Sequence, residues 1–168
     1  MTKQVSRLEK LYYRIEAQHK CLAWAFEHIK SRKGLVFELG LGHGRTFDHL
    51  RLNLPDHDIY VFDRAIGSYP ECTPDSSRII LGDLTETLPA AAARFAGQVI
   101  LAHSDVGSFS AEHNSTMPKI VSASLPISLA PGALILSDLP LSIAGTERLP
   151  LPAGVRADRY YIYRFAPS

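Results

Sequence analysis

Cysteine is scarce in this 168-residue chain: Cys21 and Cys72 are the only two, far apart and without metal-ligand spacing. That excludes a disulfide framework and a thiolate metal site, and both thiols are expected to be reduced. No uninterrupted apolar run approaches the roughly 20 residues that cross a bilayer. The first ten residues, Met1–Lys10, have neither the apolar core nor the small-residue cleavage site of a secretory signal. A cytoplasmic protein without membrane contact is therefore expected. A strong charge of one sign is also lacking, because the formal net charge is +1. Residues 1–34 carry eight Lys or Arg against three Glu, a local +5 that leaves −4 for the rest. A basic leading segment can favour nucleic acid, but a solvated polar face is the commoner source, and nucleic-acid binding is not expected. Internal repeats and low-complexity segments are absent as well.

What is present is ordinary globular material. Hydrophobic residues make up 46% of the chain and charged residues 21%, and the length suits one domain over 1–168 without a separate substrate domain. Within it, 1–33 reads as an N-terminal helix and 34–168 as an α/β core. From Val5, the residues Val5, Leu8, Tyr12, Ile15, His19, Leu22, Phe26 and Ile29 recur in steps of three and four, and Gly34 follows. That is a long amphipathic helix with a glycine stop. Its seam suits either its own sheet, which is favoured, or a second copy of the chain in a homo-oligomer.

Short apolar or β-branched runs follow at Leu35–Leu39, Ile59–Phe62, Arg78–Leu81, Gln98–Ala102, Ala133–Ser137 and Tyr160–Phe165. Helical or mixed stretches alternate with them at Thr46–Asn53, Thr85–Phe95 and Ser110–Leu129. Strands alternating with helices imply right-handed crossovers and a largely parallel sheet covered on both faces. The third helix contains Pro118 and Pro126 and is expected to start near the first and break at the second. Leu139–Gly154, rich in proline, reads as a loop with at most a short helix or an extra strand.

The most informative stretch is Val36-Phe37-Glu38-Leu39-Gly40-Leu41-Gly42-His43-Gly44-Arg45-Thr46, followed by Asp63 at the end of the second apolar run. Glycine reaches positive φ freely and has no Cβ to hold a ligand away from the backbone. An acid about 20 residues further on can accept hydrogen bonds from ribose hydroxyls. The dinucleotide fingerprint G-x-G-x-x-G is not met, because the third glycine comes one residue early and Arg45 stands where a small residue is needed. That weighs against NAD or FAD.

The segment instead resembles motif I of the class I S-adenosylmethionine-dependent methyltransferases, an acid, an apolar residue and then Gly-x-Gly-x-Gly. The resemblance extends along most of the chain, through Asp63, Gly82-Asp83-Leu84 and Ala102-His103-Ser104-Asp105, and in size it fits a small bacterial single-domain group. It implies a Rossmann-like three-layer α/β/α sandwich, with about seven mostly parallel strands and one antiparallel C-terminal strand. It implies S-adenosyl-L-methionine as cofactor, with contacts from Glu38, Gly40, Leu41, Gly42, Gly44, Asp63, Arg64, Asp83, Leu84 and His103. Backbone N–H groups from Gly40 to Gly44 would face the methionine portion and Glu38 would hold its ammonium group. Asp63 would take the ribose, and Asp83 with the Leu84 amide the adenine, although Asp83 also suits a helix cap.

His103 and Asp105 follow the fourth strand, where the superfamily places groups that touch the methyl-accepting atom. Either can serve as a base if the acceptor carries a proton; the alternative is a strand-end histidine and a helix-capping acid. Asp105 and Asp138 are similar to the two acids that carry magnesium in the catechol O-methyltransferase-like group, but Leu139 stands where that group has Asn. No obligatory metal is expected. His43, His49 and His57 lack metal spacing and read as surface residues. Tyr12, Tyr13 and His19 suit a lid over the cofactor, with ordinary core the favoured reading. No Asn-Pro-Pro-Tyr or Asp-Pro-Pro-Tyr motif follows the fourth strand, which argues against DNA or glutamine N-methylation. The expected function is methyl transfer to an unidentified small molecule; the alternatives are a catalytically idle cofactor binder and, behind it, an NAD-type oxidoreductase.

Overall fold

The computed structural model describes residues 4–167, so Met1–Lys3 and Ser168 of the expected unit lie outside the described residues. The chain runs α1 (Arg7–Ile29), β1 (Leu35–Leu39), α2 (Arg45–Asn53), β2 (Asp58–Asp63), β3 (Ile79–Leu81), α3 (Leu84–Arg94), β4 (Val99–Ser104), α4 (Ala111–Ser124), β5 (Leu129–Ser137), β6 (Thr146–Leu149) and β7 (Tyr161–Phe165). The strands form one sheet in the order β3-β2-β1-β4-β5-β7-β6. Neighbours from β3 to β5 are parallel, and β7 is antiparallel to both β5 and β6. This is the expected Rossmann-like sandwich of seven strands with one reversed. Leu139–Gly154, read as a loop with at most a short helix or an extra strand, contains β6.

The central strands are apolar on both sides, as strands covered by helices on both faces must be. Phe37, Leu39, Tyr60 and Phe62 pack with α3 and α4 residues on one face; Val36, Ile59, Val61 and Leu101 pack with α1 and α2 on the other. After β1 the chain builds outward through β2 and β3, then returns to lay β4 on the other side of β1. Ligands of open α/β sheets bind where that direction changes, beyond the carboxyl ends of the strands.

The leading helix is longer than its contact with the sheet. Ser6 caps it by accepting from the Glu9 N–H at 3.1 Å while Glu9 accepts from the Ser6 N–H at 2.8 Å. Of the expected seam, Leu22, Phe26 and Ile29 are buried, joined by the small residues Ala17, Cys21 and Ala25, which let the helix lie close to the strands. Burying each large side chain contributes about 1.5–3 kcal/mol. Leu8, Tyr12 and Ile15 instead stand 76%, 58% and 54% exposed, so the seam holds only in its second half.

One helix start differs from expectation. α4 begins at Ala111, capped by the Ser110 hydroxyl, and Pro118 lies inside it. Proline in a helix interior forfeits one hydrogen bond; here the cap and the burial of Met117 and Val121 outweigh that loss. The helix does end before Pro126, in a short 3₁₀ turn over Leu125–Ser128.

Candidate functional site

The turn after β1 is built from positive φ at Gly40 (96°), Gly42 (51°) and Gly44 (86°). Each glycine is needed for a different reason. A Cβ at Gly40 would come within 2.6 Å of the Asp105 carbonyl oxygen, whereas one at Gly42 would meet nothing. At Gly44 it would run into the Cys72 carbonyl and the Ser68 side chain. Gly44 thus seats the loop after β2 on the turn, where the Tyr69 N–H donates to the His43 carbonyl and the two rings stack. Gly44, expected beside the cofactor, lines neither cleft described below, and its contacts here are with the loop after β2.

The N–H groups of the turn are also differently employed from expectation. Gly40 donates to the Phe62 carbonyl and Gly44 to that of Leu41. Leu41 and Gly42 donate to Asp63 Oδ2 at 2.8 and 3.1 Å, while the Arg64 N–H donates to Asp63 Oδ1. Asp63 therefore ties the turn to the end of β2. A carboxylate has about four lone-pair positions, so room for a ribose hydroxyl remains.

Two clefts meet at this turn, sharing Gly40, Gly42 and Asp105. The smaller, of about 280 Å³, lies over the ends of β2, β3 and β4 and is lined by Phe62, Asp63, Arg64, Gly82, Leu84, Val106 and Met117. The larger, of about 500 Å³, lies under α1 and is lined by Leu11, Arg14, Ile15, Gln18, His19, Arg45 and His49. α1 does wall a cleft, as the lid reading allowed, with His19 contributing. Tyr13 instead lies under the Arg156 guanidinium, 3.6 Å from the ring centroid.

Asp83 does not line the smaller cleft. Its Oδ1 caps α3 by accepting from the Thr85 N–H at 2.9 Å and its hydroxyl at 2.7 Å, and its Oδ2 accepts from Arg64 at 3.0 Å. The adjoining Gly82 and Leu84 carry the cleft wall instead.

Beneath the clefts runs a buried polar chain. Glu38 and His103 face each other across β1 and β4, with Glu38 Oε2 2.8 Å from His103 Nδ1. His103 Nε2 meets the Tyr160 hydroxyl, which accepts from Gln18 at 3.4 Å. Gln18 also donates to Asp105 Oδ2 at 3.0 Å, and Arg14 donates to Asp105 Oδ1 at 2.7 Å. Burial pushes the Tyr160 phenol well above its ordinary range, so it keeps its proton. Burial raises Glu38 to about 7 against the opposing pull of His103. Burial also works against charge on His103, but Glu38, aided by Asp105 and Asp138, prevails and holds it above its usual value. Burial works the other way on Asp105, where His103 and Arg14 win and keep it low. Asp138 is raised to about 6 by burial and by Asp105 beside it.

Both residues expected to do chemistry or hold the ammonium group from this layer are sealed. Glu38 is 1% exposed and His103 0%, and neither lines a cleft. Strand alternation explains this: Glu38 and Val36 share the face that α1 and α2 cover. His103 thus cannot touch an acceptor here, while Asp105 does border both clefts. Arg14, Gln18, Tyr160 and His49 were not anticipated. The signal available was a titratable residue set at the same depth in each of two apolar strands, Glu38 in β1 and His103 in β4. Among the described residues, no cluster of three His, Cys, Asp or Glu side chains is arranged to hold a metal ion.

A family model described as S-adenosyl-L-methionine methyltransferase matches residues 5–165. The chain belongs to that family. A crystal structure of an S-adenosyl-L-methionine methyl transferase from Silicibacter pomeroyi is 40% identical, covers 97% of this chain and 100% of its own, and superposes with a TM-score of 0.92. The fold is shared with an SAH-bound methyltransferase of Podospora anserina (13% identity, 93% of this chain and 87% of that one, TM-score 0.59). It is shared too with the MycE methyltransferase of the mycinamycin biosynthetic pathway (16% identity, 94% and 48%, TM-score 0.59), solved with Mg, SAH and mycinamycin VI. No curated protein matches the chain. The methyltransferase uses S-adenosyl-L-methionine, and the NAD-type alternative falls with that assignment. The site accommodates such a molecule: the turn leaves open space at Gly42, and Asp63 has acceptor capacity left beside it. No helix of the described residues is long and apolar enough to cross a membrane.

Proposed function

We propose that the smaller cleft takes the adenosine of S-adenosyl-L-methionine and that the cleft under α1 takes the methionine arm and a small-molecule acceptor. The observation that carries this reading is the junction of the two clefts at Gly40, Gly42 and Asp105. Asp63 accepts from the ribose while continuing to hold the turn, and the base lies against Leu84 and Met117. The Asp83 carboxylate lies outside the cleft lining, where it caps α3 and holds Arg64, so the backbone beside Gly82 and Leu84 is the better partner for adenine. The cofactor supplies an electrophilic methyl group on a sulfonium.

Methyl transfer needs alignment and exclusion of water more than it needs acid–base help. With the cofactor bound, an acceptor held under α1 would take the methyl carbon through its lone pair, the electron pair of the carbon–sulfur bond leaving with sulfur. A departing acceptor proton passes to His49, which borders the larger cleft with His19, their rings 5.3 Å apart. Burial, and then His19, hold His49 below its ordinary value, and Asp48 opposes them; the ring is neutral and basic near pH 7. Apolar Leu11, Ile15 and Leu22 beside these groups suit a small, partly apolar acceptor. The reduced cysteines Cys21 and Cys72 accord with a cytoplasmic setting. Labelled-methyl transfer from S-adenosyl-L-methionine to a panel of phenols, carboxylic acids and amines, set against RNA and protein, tests this reading. Labelling of RNA or protein alone would overturn it.

A further inference from the structure

The two groups that the motif assigns to the amino-acid end of the cofactor are engaged elsewhere. Glu38 is buried against His103; the Gly40 N–H is bonded to Phe62, those of Leu41 and Gly42 to Asp63, and that of Gly44 to Leu41. The ammonium and the carboxylate of that zwitterion still need partners of opposite charge, because an unpaired charge in a cleft carries a large desolvation cost. One acid, Asp105, borders both clefts, and the guanidinium of Arg14 on α1 is bonded to it at 2.7 Å.

We propose that Arg14 and Asp105 form a clamp for the zwitterionic end of the cofactor, Arg14 binding its carboxylate and Asp105 its ammonium group. This rests on the placement of the adenosine in the smaller cleft. The existing pair need not break. A guanidinium has five N–H donors and a carboxylate about four acceptor positions; Arg14 uses one donor on Asp105, which also accepts from Gln18 and lies against Asp138, so acceptor capacity is left. The Arg14 side chain is 48% exposed and that of Asp105 19%, so both are open to a ligand. Gln18 fixes the acid from behind, tying it to Tyr160 and hence to Glu38 and His103. The motif acid then acts through this chain as a positioning residue instead of touching the ammonium.

Calorimetric titration with two probes tests the clamp: S-adenosylhomocysteine, which carries the amino-acid end, and 5′-methylthioadenosine, which lacks it. The unaltered protein should bind the first more tightly. Arg14→Ala should weaken S-adenosylhomocysteine by about 10- to 100-fold, in line with loss of a charge-assisted hydrogen bond. Methylthioadenosine should stay within about threefold, and Arg14→Lys should recover part of the loss. Thermal unfolding of each variant, with a transition close to that of the unaltered protein, verifies that it is folded. Equal affinity of the unaltered protein for both probes, or equal weakening of both by Arg14→Ala, overturns the clamp while leaving the adenosine placement intact. If neither probe binds, the placement fails and the clamp with it.

Discussion

The two clefts are built by different means. The smaller is made of strand ends and the turns that leave them: Gly40 to Gly42, Asp63, Gly82 and Leu84 each sit where a short local pattern puts them. The larger has one wall from the same turn and the other from α1, and its polar contacts join residues that are remote in sequence, such as Arg14 with Asp105 and Gln18 with Tyr160. Backbone geometry sets the smaller cleft, and side chains meeting across the fold set the larger. A perturbation of the turn should therefore disable cofactor binding and stability together, whereas one at Arg14 on α1 should weaken cofactor binding and leave stability nearly unchanged.

The largest effect belongs to Asp63. Asp63→Ala removes three bonds to backbone N–H groups as well as the proposed ribose acceptor, and S-adenosylhomocysteine affinity should fall by about 100-fold or more by calorimetry. Asp63→Asn, which keeps one acceptor oxygen, should lose less; equal losses would break the assignment of a tether. Next comes Gly40→Ala, whose Cβ meets the Asp105 carbonyl and whose φ of 96° suits glycine. It should destabilise the fold by about 2–3 kcal/mol in chemical denaturation. Gly42→Ala faces open space and should cost only about 1 kcal/mol. If the two cost the same, the distinction between packing and open glycines is wrong.

The buried chain gives a smaller, pH-dependent signature. The folded pKa values of Glu38, His103 and Asp138 all lie above their unfolded values. The folded state therefore holds their protons more tightly than the unfolded chain does, and the stability they confer is lost as pH rises. For Asp138 that window runs from about 3.8 to about 6, and for Glu38 from about 4.5 to about 7; His103 extends it upward from 6.5. Asp105 has the opposite sign, its contribution being lost as pH falls below its ordinary 3.8. Thermal unfolding should show Tm falling from pH 5 to pH 8, with a shallower fall in Glu38→Gln. An unchanged slope in the variant would remove Glu38 from the account. The smallest effect is expected at the free end of α1, where Leu8→Ser and Ile15→Ser should alter stability by about 0.5 kcal/mol or less. A loss of several kcal/mol would show that this end has a partner on the fold or on a second copy.

The same division governs what the sequence made legible. The alternation of strands and helices follows from apolar runs and proline-rich breaks, and the reversed last strand from the family resemblance; the strand order does not, and β6 fills a stretch that reads as a loop with at most a short helix or an extra strand. The turn after β1 was readable because glycine spacing is a backbone property. The directions of side chains were not. Glu38 was expected beside the cofactor because of its place in the motif, yet alternation along β1 turns it under α1, and the register with β4 sets His103 next to it. The N–H groups of the turn were expected to face a ligand, but Asp63 and Phe62 claim them first. Pro118 was read as a boundary because proline is unfavourable within helices, and the burial of Met117 and Val121 overrode that preference. Arg14, Gln18 and Tyr160 gave no sign, since contacts over such separations leave no periodic trace in the chain.

The Gln18–Tyr160 hydrogen bond spans 142 residues, which fixes an order of assembly during synthesis. The glycine turn and its Asp63 tether can form once β2 has left the ribosome, because every group they use lies in the first part of the chain. α1, made first, has no completed seat until Tyr160 arrives from the segment entering β7. A chain interrupted before the segment entering β7 would therefore carry the turn and its Asp63 tether but lack Tyr160, the partner through which Gln18 on α1 reaches the buried polar chain.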